Sequence, residues 1–143
     1  MAKKILIPVD GSETAMRALD YAVDRLSTEP AAAALLLTVH PPVHLYGEVR
    51  MYINDDKAAE VVAQHDRKIL DPAVEKLRQR NIVFTTEAAE GDAAQMIIER
   101  SIKTGCTEII MGVRGMCRFG GLALGSVASK VIHHSSIPVT LVK

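Results

Sequence analysis

The stretch EIIMGVRG at residues 108–115, completed by Gly125-Ser126, decides the fold. Residues 108–111 are apolar enough to indicate a buried strand, and residues 126–134 have the pattern of a helix. A strand that opens into a glycine-rich loop ending at a helix N-terminus is typical of a phosphate cradle. In such a cradle backbone N–H groups point at the anion and the helix dipole favours negative charge. The alternative is a long surface loop whose glycines serve only turns.

The composition indicates a globular chain with no bulk attraction to nucleic acid or membranes. Hydrophobic residues make up 48% of 143, and 17 basic residues balance 17 acidic ones. No run approaches the ~20 apolar residues of a membrane span, and the apolar stretch at residues 5–9 is too short for a signal peptide. Cys106 and Cys117 have no C-x-x-C spacing, which suits a reducing compartment. We therefore expect one soluble, cytoplasmic domain over residues 1–143.

Strand and helix patterns alternate along the chain. Apolar runs predict strands at residues 4–9, 33–39, 82–88, 108–111 and 137–142. Helical spacing predicts helices over about residues 15–26, 56–80, 93–102 and 126–134. In the second of these, Asp71-Pro72 either kinks or restarts the helix. Nearly continuous apolar strands favour an α/β fold, a doubly wound five-stranded parallel sheet with helices on both faces.

The strand order follows from where the binding signals lie. Two orders suit a doubly wound sheet, 3-2-1-4-5 and 2-1-3-4-5. The signals follow the first strand, at Asp10-Gly11-Ser12, and the fourth, from Gly112 onward. Ligands bind outside the carboxyl ends of the strands where the order switches, so these signals converge only in the order 3-2-1-4-5. We choose that order.

Three segments resemble the universal stress protein family in its ATP-binding branch. They are Val9-Asp10-Gly11-Ser12, the run Met111-Gly112-x2-Gly115-x9-Gly125-Ser126-Val127, and Pro138-Val139 in the last strand. The resemblance covers the whole chain. It implies a Rossmann-like 3-2-1-4-5 sheet, an ATP held between the first and fourth strands, and a homodimer.

The resemblance also implies which residues bind the nucleotide. Asp10 would meet the adenine or ribose, and the backbone at Val39 would read the adenine edge. Gly112 and Gly115 would line the ribose and phosphates, and the segment 125–127 would hold the phosphate chain. The expected set is Pro8, Val9, Asp10, Val39, Met111, Gly112, Arg114, Gly115, Gly125, Ser126 and Val127. Val113 departs from the small polar residue often found there in the family.

The leading interpretation is an ATP-binding stress-response regulator with at most slow hydrolysis. Only Asp10 is placed as a carboxylate at the site, whereas phosphoryl transfer needs a positioned base and metal carboxylates. The sequence leaves open whether Mg²⁺ or Mn²⁺ accompanies the nucleotide, and it shows no protein metal-ligand cluster. The alternatives are an interaction module of the same fold with an empty site, and an enzyme that adenylates substrates or hydrolyses ATP.

The last strand, at residues 137–142, is apolar and predicted to lie at the sheet edge, where an uncovered strand is an aggregation hazard. Pairing with its own counterpart across a two-fold axis would cover it, so we expect a homodimer through this strand. A protein partner of unknown identity is also expected. Residues 41–55 leave the same rim as the site, and they form either a lid or partner surface, or a cover for the chain's own core.

Overall fold

A computed structural model describes residues 2–42, 55–114 and 124–143 of the chain. Gly115, Cys117 and most of the segment 41–55 therefore lie outside the described residues. The described elements, in chain order, are β1 (Lys4–Pro8), α1 (Glu13–Ser27), β2 (Ala33–His40), α2 (Asp55–Gln79), β3 (Val83–Glu90), α3 (Ala93–Lys103), β4 (Glu108–Gly112), α4 (Ser126–His134) and β5 (Val139–Val142).

The five strands form one parallel sheet in the order β3-β2-β1-β4-β5, which confirms the predicted topology. Leu6 in the central strand lies opposite Leu35 on β2 and Ile109 on β4. Their neighbours Ile7, Leu36 and Ile110 point to the other face, because side chains alternate along a strand. Each face has its own buried cluster, so β1, β2 and β4 are buried almost throughout, whereas the edge strand β3 is mostly exposed and contains two threonines and two glutamates.

Local chemistry sets the ends of two helices. The Ser12 hydroxyl accepts from the N–H of Ala15 at 3.2 Å and caps α1. The Asp92 carboxylate accepts from the N–H of Gln95 at 3.0 Å and caps α3. Several other predicted boundaries differ from the structure by one or two residues. Helix α2 runs through Pro72 without restarting, and β5 begins at Val139 rather than at residue 137.

The helices that the structure describes include none that is both long and apolar enough to cross a membrane.

Candidate functional site

A crevice of about 250 Å³ opens at the carboxyl ends of β1 and β4, where the strand order switches. The structure brings together along it every predicted site residue except Gly115, which lies outside the described residues. Those lining it are Pro8, Val9, Asp10, Val39, Met111, Gly112, Arg114, Gly125, Ser126 and Val127. Whether they touch a nucleotide stays a prediction.

The turn between β1 and α1 presents a carboxylate at the rim. Asp10 is exposed, and one of its carboxylate oxygens accepts from the N–H of Ser12 at 2.9 Å. Gly11 between them has a φ of 85°, a conformation that favours glycine. This local turn fixes the direction of the Asp10 side chain while leaving it beside solvent and the crevice. A carboxylate held in this way suits hydroxyl groups of a ligand as hydrogen-bond donors.

Gly112, at the end of β4, lies against the first turn of α1. An added Cβ would come within 2.9 Å of the carbonyl carbon and Cβ of Thr14 and 3.0 Å of its oxygen. Real Cβ atoms do not approach backbone this closely, so only glycine allows β4 and α1 to meet here. The Thr14 hydroxyl then donates to the carbonyl oxygen of Arg114, two residues beyond the strand.

Gly125 closes the other end of the loop. Its N–H donates to the carbonyl oxygen of Val113 at 2.7 Å. An added Cβ would come within 2.9 Å of the Arg114 Cα and 3.2 Å of the Val113 oxygen. Gly112 and Gly125 are predicted ligand-binding residues, but contacts within the chain already account for glycine at both positions.

The N-terminus of α4 supplies backbone hydrogen-bond donors to the crevice. Gly125 occupies the N-cap with a φ of −64° and a ψ of 156°, and it has no side chain with which to cap the helix. The first helical hydrogen bond runs from the N–H of Ser129 to the oxygen of Gly125 at 2.9 Å. The N–H groups of residues 126–128 therefore have no partner inside the helix. Because these residues line the crevice, their donors and the helix dipole favour an anion there.

One apolar wall of the crevice comes from α3 and was not predicted from the sequence. Ala93 and Ile97, one helical turn apart, line it opposite Val39 and Met111. The reason is the crossover: β3 lies at the sheet edge, but α3 packs back over β2 and β1 on its way to β4. The i, i+4 spacing of Ala93 and Ile97 was visible in the sequence, but it does not show which strands the helix covers. The direction of the crossover determines that.

Asp92 follows the edge strand β3 and is the residue before α3. Its neighbour Ala93 lines the crevice, but Asp92 itself is not among the lining residues. Its carboxylate caps α3 and lies 4.0 Å from the ammonium group of Lys130 on α4. Both contacts of the Asp92 carboxylate are structural, since one caps α3 and the other connects α3 with α4.

A buried carboxylate holds the opposite end of the sheet. Glu108 is 8% exposed, and its Oε1 accepts from Arg25 at 2.6 Å and from the Thr140 hydroxyl at 2.7 Å. Burial alone would raise the pKa of Glu108. The bonds from Arg25 and Thr140, with the charges of Arg25 and Lys3, outweigh burial and hold that pKa below its ordinary value. This network links α1, β4 and β5 far from the crevice.

His40, at the end of β2, belongs to the other face of the sheet. Its Nδ1 lies 3.2 Å from a carboxylate oxygen of Asp66 on α2, and both side chains are largely buried. Val39, the preceding residue, packs with the cluster on the crevice side. Because side chains alternate along a strand, the His40–Asp66 pair is not part of the crevice.

Comparisons with known proteins give matches that extend over the full length of the chain. A family model described as the universal stress protein family matches residues 1–143. YxiE of Bacillus subtilis, named a universal stress protein, is 30% identical, and the alignment covers 100% of both chains.

Two solved structures show the same architecture. The protein MJ0577 has a TM-score of 0.84 and 26% identity, covering 100% of this chain and 96% of that one. A universal stress protein from Archaeoglobus fulgidus, solved in complex with dAMP, has a TM-score of 0.71 and 17% identity, covering 100% and 98%. The likeness to the second protein shows the fold alone.

Proposed function

The chain belongs to the universal stress protein family, and we propose that it is an ATP-binding, homodimeric regulator of a stress response. The observation that carries this proposal is the uncapped N-terminus of α4, whose donors open into the crevice between β1 and β4. A family member from Archaeoglobus fulgidus was solved with dAMP, which supports an adenine nucleotide as the class of ligand.

The chemistry of the crevice divides it into two ends that match the two ends of ATP. The apolar side chains of Val39, Ile97 and Met111 suit the adenine ring, and Asp10 suits the ribose hydroxyls. The N-terminus of α4 suits the phosphates. The residues present therefore fit the nucleotide. When bound, ATP would supply a charged triphosphate, and the chain's own part is to orient it.

Backbone donors set the expected affinity, since the chain has no P-loop lysine. Roughly three or four hydrogen bonds to a charged acceptor contribute ~1.5–3 kcal/mol each, a helix N-terminus adds up to ~2 kcal/mol, and burial of the adenine adds to both. Less several kcal/mol for ordering, roughly 6–9 kcal/mol remains, which corresponds to roughly micromolar binding. At cellular ATP concentrations a site of this affinity would be mostly occupied, so occupancy alone would make a poor sensor. Hydrolysis, exchange or a partner must then carry the signal.

Hydrolysis should be slow at most. Among the crevice-lining residues that the structure describes, Asp10 supplies the sole carboxylate, and it lies in the turn after β1. Phosphoryl transfer needs a base and metal carboxylates at the phosphates. Within residues 2–42, 55–114 and 124–143, no group of three His, Cys, Asp or Glu side chains could hold a metal ion. A turnover in the kinase range of ~1–100 s⁻¹ would overturn this part of the proposal.

The proposed homodimer uses the edge of β5. This strand is last in the sheet. On the side that faces β4, the carbonyl oxygens of Pro138 and Val142 accept from the N–H groups of Ile109 and Val113. Backbone groups turn alternately to the two sides of a strand, so those of Val139 and Leu141 point away from β4. No strand among the described residues pairs with that side of β5, so a second copy across a two-fold axis can pair there.

A second candidate is an interaction module with the same fold and no nucleotide. The observation that favours it is that Gly112 and Gly125 are required by contacts with Thr14 and Arg114, whether or not a ligand binds. An intact glycine pattern therefore does not by itself separate the two functions.

A titration with a matched pair of variants at Ser126 tests the proposal. Ser126 is exposed and is the first residue of α4. Ser126→Glu adds a negative charge that favours the helix by ~0.3–1 kcal/mol but repels phosphates. Ser126→Gln has the same shape without the charge. Calorimetric titration with ATP, ADP and AMP, with and without Mg²⁺, should give micromolar ATP binding in the wild type. We expect at least about tenfold weaker binding in Ser126→Glu alone, since one added charge at close range is worth more than ~1.4 kcal/mol.

Two results would contradict the proposal. If no adenine nucleotide binds the nucleotide-stripped wild-type protein, the interaction module becomes the better interpretation. If ATP binds but Ser126→Glu binds it as tightly as Ser126→Gln does, the phosphates do not lie at the N-terminus of α4.

A further inference from the structure

A continuous set of hydrogen bonds joins the two loops that flank the crevice. The N–H of Ser12 donates to the Asp10 carboxylate at 2.9 Å. The oxygens of the Ser12 and Thr14 hydroxyls lie 3.4 Å apart. The Thr14 hydroxyl donates to the carbonyl oxygen of Arg114. Since each hydroxyl carries one proton, the Ser12 hydroxyl is the donor to Thr14. The set runs from the loop after β1 to the loop after β4.

Thr14 is the point where this set meets the glycine loop. Thr14 is 6% exposed, and its backbone lies against Gly112, where an added Cβ would come within 2.9 Å of the Thr14 carbonyl carbon. The carbonyl oxygen of Val113, one residue before Arg114, accepts from the N–H of Gly125 at 2.7 Å. Gly125 is the N-cap of α4. The position of α4's first turn therefore depends on segment 113–114, and segment 113–114 is held by Thr14.

We propose that Thr14 is a positioning residue of the nucleotide site. Its hydroxyl holds the Arg114 carbonyl, and through the Val113–Gly125 bond it fixes the N–H groups at the start of α4 where the phosphates bind. This inference rests on the proposed function for its effect on ATP, but the geometry it invokes is a property of the chain alone. Thr14 itself does not line the crevice, so its effect on a ligand must pass through these backbone contacts.

The effect on binding should be large because anion sites built from backbone donors tolerate little displacement. Functional groups must hold their geometry to within about 0.5 Å. Without the hydroxyl, the Arg114 carbonyl loses this anchor, while Val113 keeps its backbone bonds to Gly125 and to the Val142 carbonyl. Gly125 packs directly against the Arg114 backbone, so it shifts when Arg114 shifts. We expect the affinity for ATP to fall about tenfold, which corresponds to the net contribution of one good hydrogen bond.

The test compares Thr14→Val, which removes the hydroxyl at constant shape, with Thr14→Ser, which keeps it. Calorimetry should show about tenfold weaker ATP binding in Thr14→Val and near wild-type binding in Thr14→Ser. Amide hydrogen exchange of nucleotide-free protein gives a second measurement. We expect faster exchange at the Gly125 amide in Thr14→Val, restored in Thr14→Ser, with unchanged exchange in the second half of α1. If Thr14→Val does not fold, Thr14→Ala replaces it in the same comparison with Thr14→Ser.

The outcomes separate this inference from the proposed function. Wild-type ATP binding in Thr14→Val, or an equal loss in Thr14→Val and Thr14→Ser, would overturn the role of the hydroxyl. If the wild-type protein binds no nucleotide, the proposed function fails, and the exchange rates at Gly125 alone decide whether Thr14 positions α4. Unchanged exchange there in Thr14→Val would overturn the inference too.

Discussion

Gly112→Ala should destabilise the protein because of where one methyl group would be placed. Gly112 is buried at the end of β4, and the added Cβ would lie 2.9 Å from two atoms of Thr14 and 3.0 Å from its carbonyl oxygen. Two of these atoms are backbone, so a rotamer change cannot relieve the contact. The sheet or the first turn of α1 must move.

The expected magnitude follows from this geometry. Overpacking a close contact costs ~1–3 kcal/mol, and replacing glycine lowers the entropy of the unfolded chain by ~0.4–1 kcal/mol in the opposite direction. The net loss should be about 1–2 kcal/mol, or a melting temperature lower by ~3–8 °C for a chain of this size. ATP binding should weaken several-fold as well, because moving α1 away from β4 displaces Thr14 from the Arg114 carbonyl.

Gly105→Ala is the matched control. An added Cβ at Gly105 would meet nothing within 4 Å, but its φ of 69° is unfavourable for alanine. This variant should lose ~1 kcal/mol through backbone strain without any change in ATP affinity. Urea unfolding followed by circular dichroism, together with calorimetric titration, measures both quantities. Gly112→Ala with wild-type stability would refute the reasoning, since the close approach of β4 and α1 would then not exist.

Three further predictions address other parts of the molecule. Glu108→Gln should lower the free energy of unfolding by about 1–2 kcal/mol at pH 7. Because the pKa of Glu108 is lowered in the folded state, the difference should shrink as the pH falls below its ordinary value of 4.5, and a constant difference in urea unfolding down to acid pH would contradict this. Leu141→Pro should give monomers by light scattering while Leu141→Ala stays dimeric, because both lose the side chain but only proline lacks the outward N–H; dimeric Leu141→Pro would exclude pairing through β5. Ala93→Leu should weaken ATP binding by filling the apolar wall of the crevice, while Gln95→Leu, on an exposed position of the same helix, should not; equal affinities would place the adenine elsewhere.

The sheet was predictable because its physics is local and redundant. The central strands are apolar runs such as residues 33–39, and each strand is separated from the next by a helical pattern. The order needed one non-local argument, that the signals after β1 and β4 converge at a switch point, and the structure confirms it. The Ser12 cap was predictable for the same reason, since it depends on residues only three apart.

Contacts between distant segments were not predictable from the sequence. Ala93 reaches the crevice only because α3 crosses back over β2 and β1, and no local pattern encodes that distance. The bond from Thr14 to Arg114 spans 100 residues of sequence. Helix α2 continues through Pro72 although the local pattern allowed a restart, because packing of residues on both sides, such as Leu70 and Ala73, into one cluster holds the helix together.

These contacts change which residues are diagnostic of the function. Gly112 and Gly125 form the most recognisable part of the sequence pattern. At both positions, however, an added Cβ would lie less than 3 Å from another segment of the chain, so the fold itself requires glycine. A protein with this fold and an empty crevice would therefore retain them. The informative position is one that the fold does not need, the exposed Ser126 at the start of α4. A substitution there that leaves stability unchanged and abolishes ATP binding distinguishes a nucleotide site from a structural loop, which no substitution of these two glycines can do.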